Sequence, residues 1–85
     1  MAQSETKERI VRFVTRHVGV EIQTDQAIFE QGLVDSMFAM QLVQFLERKF
    51  AIQIGAEDLD MANFASVDAM ADLIARKQGT EAVRQ

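Results

Sequence analysis

Apolar residues recur at helical spacing in three stretches of this chain, and residues that start and stop helices bracket each one. In the first, Ile10, Val14 and Val18 fall four apart with Phe13 beside them, which predicts an amphipathic helix over residues 4–18. Ser4 is placed to cap it, Glu5 and Glu8 suit the positive end of its dipole, and Gly19 stands where glycine commonly ends a helix. The second stretch, residues 36–50, carries Ala39, Leu42, Val43, Leu46 and Phe50 along one face. The third, residues 66–77, starts at a capping Ser66, has Val67, Met70, Leu73 and Ile74 as its stripe, and ends on Arg76 and Lys77 at the negative pole.

Between these stretches the pattern changes. From Val20 to Val34 the periodicity fails: Thr24 and Asp25 predict a turn, Gly32 breaks the chain, and Ile28, Phe29 and Leu33 are apolar anchors. A loop this long in so small a domain is expected to be packed and to carry function. Ile52 and Ile54 alternate like a short extended link. Residues 57–62 predict a short helix, with Leu59, Met61 and the nearby Phe64 as its apolar residues. Residues 78–85 are a polar tail, expected to fray. The sum is an all-α fold: a small four-helix bundle, three main helices plus one short helix, with a long loop after the first. It forms a single domain over residues 1–85.

Composition narrows the chemistry. A chain that is 48% apolar with no Pro, Trp or Tyr suits a compact helical bundle. There is no Cys, so any thiol chemistry has to come from an attached cofactor. Thirteen Asp and Glu against nine Lys and Arg give a net charge of −4, without the basic stripe that nucleic acid requires. An acidic surface favours basic protein partners instead. No apolar run approaches the roughly 20 residues of a membrane span, and the N-terminus lacks a signal-peptide core, so a cytoplasmic location is expected. The trio Glu57, Asp58 and Asp60 lacks the glycine and terminal glutamate of a calcium loop. The dipole of a short helix explains these carboxylates, and no metal is expected.

The candidate chemistry sits at the start of the second helix, in the run Gly32-Leu-Val-Asp-Ser-Met37. Ser and Asp are both preferred N-caps. If Asp35 is the cap, the Ser36 hydroxyl is left in the first turn with no structural duty. A phosphate esterified there meets free backbone N–H groups and the positive end of the dipole. Val34, Met37 and Phe38 form an apolar lip around it. A hydrolytic role needs a general base, yet the sole histidine is His17, near the end of the first helix, and a G-x-S-x-G elbow is absent. The serine carries rather than catalyses, so the chain is not expected to be an enzyme.

The ordered anchors F-x-x-G-L-x-D-S-M, then L-E-x-x-F-x-I-x-I, then F-A-S-V-D-A-M-A-D-L-I, resemble the acyl and peptidyl carrier protein family from Ile10 to Lys77. The resemblance implies a four-helix bundle with a 4′-phosphopantetheine arm, taken from coenzyme A, attached through Ser36 and flanked by Asp35. The thiol of that arm holds an acyl or aminoacyl group as a thioester. Implied partners are a phosphopantetheinyl transferase, an acyl- or aminoacyl-loading enzyme, and a downstream acyltransferase, synthase or tailoring enzyme, all met by a monomer.

In that family the second helix is the usual docking face, often rich in carboxylates. Here Gln41, Gln44, Arg48 and Lys49 are neutral or cationic, and Glu47 is the sole acidic residue before Phe50. Docking is therefore expected to rest on apolar contact, with Val34, Met37, Phe38, Met40, Gln41, Glu47 and Met61 as the partner-facing set. Met40 and Phe45 are each as well placed to complete the core. The run S-M-F-A-M-Q-L-V is more similar to discrete carriers of specialised metabolism, of polyketide or nonribosomal peptide type, than to the carrier of housekeeping fatty-acid synthesis. The D-alanyl carrier of cell-wall modification shares D-S-M and the following Gln. An unmodified helical interaction module, binding through surplus methionines, is the reading from a different class.

Overall fold

The structure, a computed structural model, describes residues 2–83. Its elements are α1 (Ala2–Val18), α2 (Ser36–Phe50), a 3-10 turn (Ala56–Asp58), α3 (Met61–Phe64) and α4 (Val67–Val83). The core is built from the stripes that the periodicity marks. Ile10 and Val14 of α1, Leu42 and Leu46 of α2, and Val67, Met70, Leu73 and Ile74 of α4 are all fully buried. Burial of side chains of this size is worth about 1.5–3 kcal/mol each. α4 packs against both α1 and α3.

Two helix ends differ from the sequence expectation. α1 begins at Ala2, so Ser4 lies inside its first turn and is not its cap. First-turn amides need no intrahelical acceptor, so a serine there is accommodated without conflict. α4 continues through the stretch expected to fray and reaches Val83. Gly79 inside it costs only about 1 kcal/mol relative to alanine, and the Gln78 side chain donates to the Phe50 carbonyl at 3.3 Å, tying this stretch to the end of α2. The rest of that tail, residues 84 and 85, lies outside the described residues.

The long first loop is fastened rather than loose. Gly19, at φ +87°, closes α1, and its N–H donates to the Thr15 carbonyl. Ile28 is fully buried, and its N–H reaches the Ala65 carbonyl at 3.2 Å. The Asp68 N–H donates to the Thr24 carbonyl at 2.8 Å, so the start of α4 grips the loop a second time. Leu33 and Val34 both donate to the Ile28 carbonyl, which turns the chain into α2.

The segment predicted as one helix over residues 57–62 divides in two. Asp60 is extended (φ −113°, ψ 135°) and its carboxylate accepts from the Ala62 N–H, so it starts α3 instead of continuing the 3-10 turn. Asp58 accepts from the Gly55 N–H at 3.1 Å and from Lys77 Nζ at 2.7 Å. Arg76 reaches the Asn63 side-chain oxygen at 3.1 Å. Two cations of α4 thus strap down the short elements that border α2.

Candidate functional site at the start of α2

Asp35 makes the cap. It is extended (φ −120°, ψ −178°), and its Oδ1 accepts from the Phe38 N–H at 3.0 Å. Ser36 is therefore the first residue of α2 proper. It is exposed, and its hydroxyl makes no hydrogen bond among the described residues. The Ala39 N–H is satisfied by the Asp35 carbonyl, while the amides of Ser36 and Met37 have no protein acceptor. Two free amides at the positive end of a 15-residue helix suit an anionic oxygen. The arrangement fits a phosphodiester at this hydroxyl.

The apolar lip expected around Ser36 is smaller than the sequence implied. Val34 retains only 7% of its surface and Phe38 only 2%, so neither faces a partner. Phe38 points toward α1, where it stacks on Phe13 (centroids 5.5 Å apart) and on the His17 imidazole (3.9 Å). His17 is exposed at its edge but lies flat on that ring. Met37, by contrast, is 75% exposed.

Met40 is also turned outward, at 69%, and does not complete the core, whereas Phe45 is half-buried and stacks on Phe13. Gln41 is exposed. Glu47 is half-buried, and its carboxylate accepts from the Ile54 N–H at 2.8 Å. Its carbonyl accepts from the N–H groups of both Ala51, in the left-handed region at φ 55°, and Ile52. Glu47 thus fastens the chain reversal after α2, which removes one carboxylate oxygen from any docking role.

Between α2 and α3 runs a largely apolar groove of about 410 Å³. It gathers Met40, Val43 and Glu47 from α2, Phe29 from the long loop, and Ile54, Leu59, Met61 and Phe64 from the segment beyond. Met61 is 63% and Leu59 58% exposed. Leu59 was absent from the partner-facing set read from sequence. Its signal is an apolar residue flanked by Asp58 and Asp60, too polar a setting to be core. No group of three or more His, Asp or Glu side chains placed for a metal exists among the described residues. Asp58 and Asp60 are engaged in the bonds given above.

Comparison with known proteins decides the family. A family profile described as the phosphopantetheine attachment site matches residues 8–74, which spans the exposed serine, its cap and all of α2. The chain belongs to the phosphopantetheine-binding carrier proteins. The members of this family are carriers rather than catalysts, and the cofactor they bear is phosphopantetheine. Over 58 residues, 68% of its length, this carrier is 38% identical to a probable acyl carrier protein, PigG, of a Serratia species. Over 49 residues, 55% of its length, it is 45% identical to a D-alanyl carrier protein of Leuconostoc mesenteroides and 43% identical to that of Leuconostoc citreum. The aligned stretches span 64%, 63% and 63% of those relatives' own lengths, a little under two thirds. Among its described residues, no helix is long and apolar enough to cross a membrane.

Proposed function

We propose that this chain is an acyl or aminoacyl carrier that holds a small substrate as a thioester on a 4′-phosphopantetheine arm joined to Ser36. The observation that carries the reading is an exposed serine hydroxyl, free of hydrogen bonds, opening α2 while Asp35 supplies the cap. In the joining step, Ser36 Oγ attacks the pantetheine-side phosphorus of coenzyme A. A phosphodiester forms, the pyrophosphate bond breaks, 3′,5′-ADP leaves, and the hydroxyl proton passes to the transferase. The arm then supplies the thiol that a chain without cysteine lacks.

Partners in this reading are a phosphopantetheinyl transferase, a loading enzyme, and a downstream acyltransferase, synthase or tailoring enzyme, meeting a cytoplasmic monomer. Met37, Met40, Leu59 and Met61 are the apolar surface they dock on, with Gln41 beside them. Likeness to the probable acyl carrier protein of Serratia favours an acyl cargo, and the S-M-F-A-M-Q-L-V run favours specialised metabolism of polyketide or nonribosomal peptide type. Likeness to the D-alanyl carriers favours a second reading, an alanyl cargo for cell-wall modification. Both cargoes are small and polar, gain little from an apolar groove, and stay in solvent.

The test is to incubate the protein with coenzyme A and a broad-specificity phosphopantetheinyl transferase and weigh it intact. A gain of one phosphopantetheinyl group that is lost in Ser36→Ala is the expected result. No gain in the folded protein overturns the reading in favour of an unmodified interaction module. Loading the modified protein from cell extract then identifies the thioester. A glycerate-derived acyl unit or an amino acid other than alanine supports specialised metabolism, alanine the second reading, and a long alkyl chain overturns both.

A further inference from the structure

Among the described residues, hollows open on two flanks of α2. The apolar groove belongs to the site above. The other, of about 360 Å³, opens between α1 and α2 and is lined by Phe13, Gln41, Gln44, Phe45, Arg48 and Lys49. Its floor is aromatic: the half-buried rings of Phe13 and Phe45 stack with centroids 4.1 Å apart and planes 10° from parallel. Its rim is two amides and two cations, all four exposed.

The cations of the described residues fall into a paired and an unpaired set, and α1 carries members of both. Lys7 pairs with Asp68, Arg9 with Glu5 and Lys77 with Asp58, and Arg76 is held by Asn63. Among the described residues the cations without such a partner are Arg12, Arg16, Arg48 and Lys49. All four belong to α1 and α2; Arg48 and Lys49 line the hollow, and Arg16 lies one turn along α1 from Phe13. The negative pole of α2 accounts for two cations in its last turn. It does not account for an aromatic floor with two amides beside them. Nor does a net charge of −4 favour leaving unpaired cations gathered on two adjacent helices.

We propose that this hollow docks an acidic segment of a partner protein. The carboxylates of that segment meet Arg48 and Lys49, one apolar side chain covers the rings, and the amides of Gln41 and Gln44 pair with its backbone. Solvated cations at a rim add little affinity each; they set orientation and association rate, while the desolvated aromatic floor supplies the anchor. An acidic peptide fits better than a nucleic acid. The amides offer both donors and acceptors to a peptide backbone, and the negative charge of the whole chain opposes a polyphosphate. This partner is opposite in sign to the one that overall composition favours, and it meets the flank of α2 beside the apolar groove, with Gln44 on the ridge that lines both.

The test uses the protein before modification, so its result does not depend on Ser36. The ¹⁵N-labelled chain is titrated with a short capped peptide bearing one leucine between two pairs of glutamates. Parallel titrations use the same peptide with lysines for glutamates, and oligothymidylate. Saturable shifts at the Gln41 and Gln44 side-chain amides and at Phe45, weakening with salt, are expected. Combined Arg48→Glu and Lys49→Glu should lower the affinity at least about tenfold while the protein stays folded, its melting temperature lowered only modestly by the charge reversal at the negative pole of α2. Shifts centred elsewhere, no binding, equal binding of the lysine peptide, unchanged affinity in the charge-reversed protein, or tighter binding of oligothymidylate would each overturn the proposal.

Discussion

Met37 and Phe38 are adjacent, similar in size and both apolar, yet the structure assigns them opposite energetic roles. Phe38 keeps 2% of its surface and its ring contacts Phe13 and His17, whereas Met37 keeps 75%. Truncating a buried phenylalanine to alanine typically costs about 3–5 kcal/mol, the lost transfer free energy plus the cavity left behind. An 85-residue domain has roughly 4–13 kcal/mol in total, at about 0.05–0.15 kcal/mol per residue. Phe38→Ala therefore removes a large share of the stability, and Met37→Ala should change it by less than about 0.5 kcal/mol. In urea unfolding followed by circular dichroism, the Phe38→Ala midpoint should fall by more than about 1 M, with slopes in the usual range of about 1–3 kcal/mol/M. Should Phe38→Ala fail to fold, Phe38→Leu carries the test, because it keeps the burial and loses ring stacking worth about 1 kcal/mol. A Met37→Ala protein as destabilised as the Phe38 variants would refute the placement of both residues.

Other expectations follow from single contacts. Asp35→Ala removes the side-chain acceptor of the Phe38 N–H and should cost about 1 kcal/mol, with faster amide exchange confined to the first turn of α2. Ala51 sits in the left-handed region at φ 55°, so Ala51→Gly should stabilise the protein by about 0.5–1 kcal/mol, visible as a higher melting temperature. The Lys77 side chain, followed by the Gly55 N–H, holds the Asp58 carboxyl below its ordinary 3.8. A carboxylate lowered in the folded state stabilises at pH values above its unfolded pKa and loses that contribution as pH falls through the folded one. The stability gap between wild type and Asp58→Asn should therefore be present at neutral pH and close below about pH 3.8. A gap that persists unchanged in strong acid would contradict the Lys77–Asp58 contact.

Much of this fold is legible in local spacing. Residues 36–50 are helical as the pattern demands, and Val67, Met70, Leu73 and Ile74 are all buried as their stripe demands. Phe38 was legible too: it precedes Leu42 by four residues and Leu46 by eight, so the same row of α2 points it inward, and placing it in a lip around Ser36 overlooked that spacing. What spacing does not show is the partner it packs on, since Phe13 and His17 lie more than twenty positions away. Glu47 escaped for a related reason: it is an ordinary surface carboxylate on a helical wheel until the chain reverses at Ala51 and brings the Ile54 N–H to it. Asp35 was readable as a cap because capping is set within three residues. The groove was not, since its walls meet only after Lys77 and Arg76 fix the short elements over α2.

The neighbouring duties of Asp35 and Ser36 have a thermodynamic consequence. The bond that sets the start of α2 runs from Phe38 to Asp35, so what hangs on the Ser36 oxygen is decoupled from whether the helix starts there. A hydroxyl or the hydrogen of an alanine at position 36 should leave nearly the same scaffold with nearly the same melting temperature, and a phosphodiester the same scaffold, raised slightly in stability by its charge at the positive end of the helix. Loading and unloading then need no refolding step, and a partner can tell the forms apart only by touching the appendage itself.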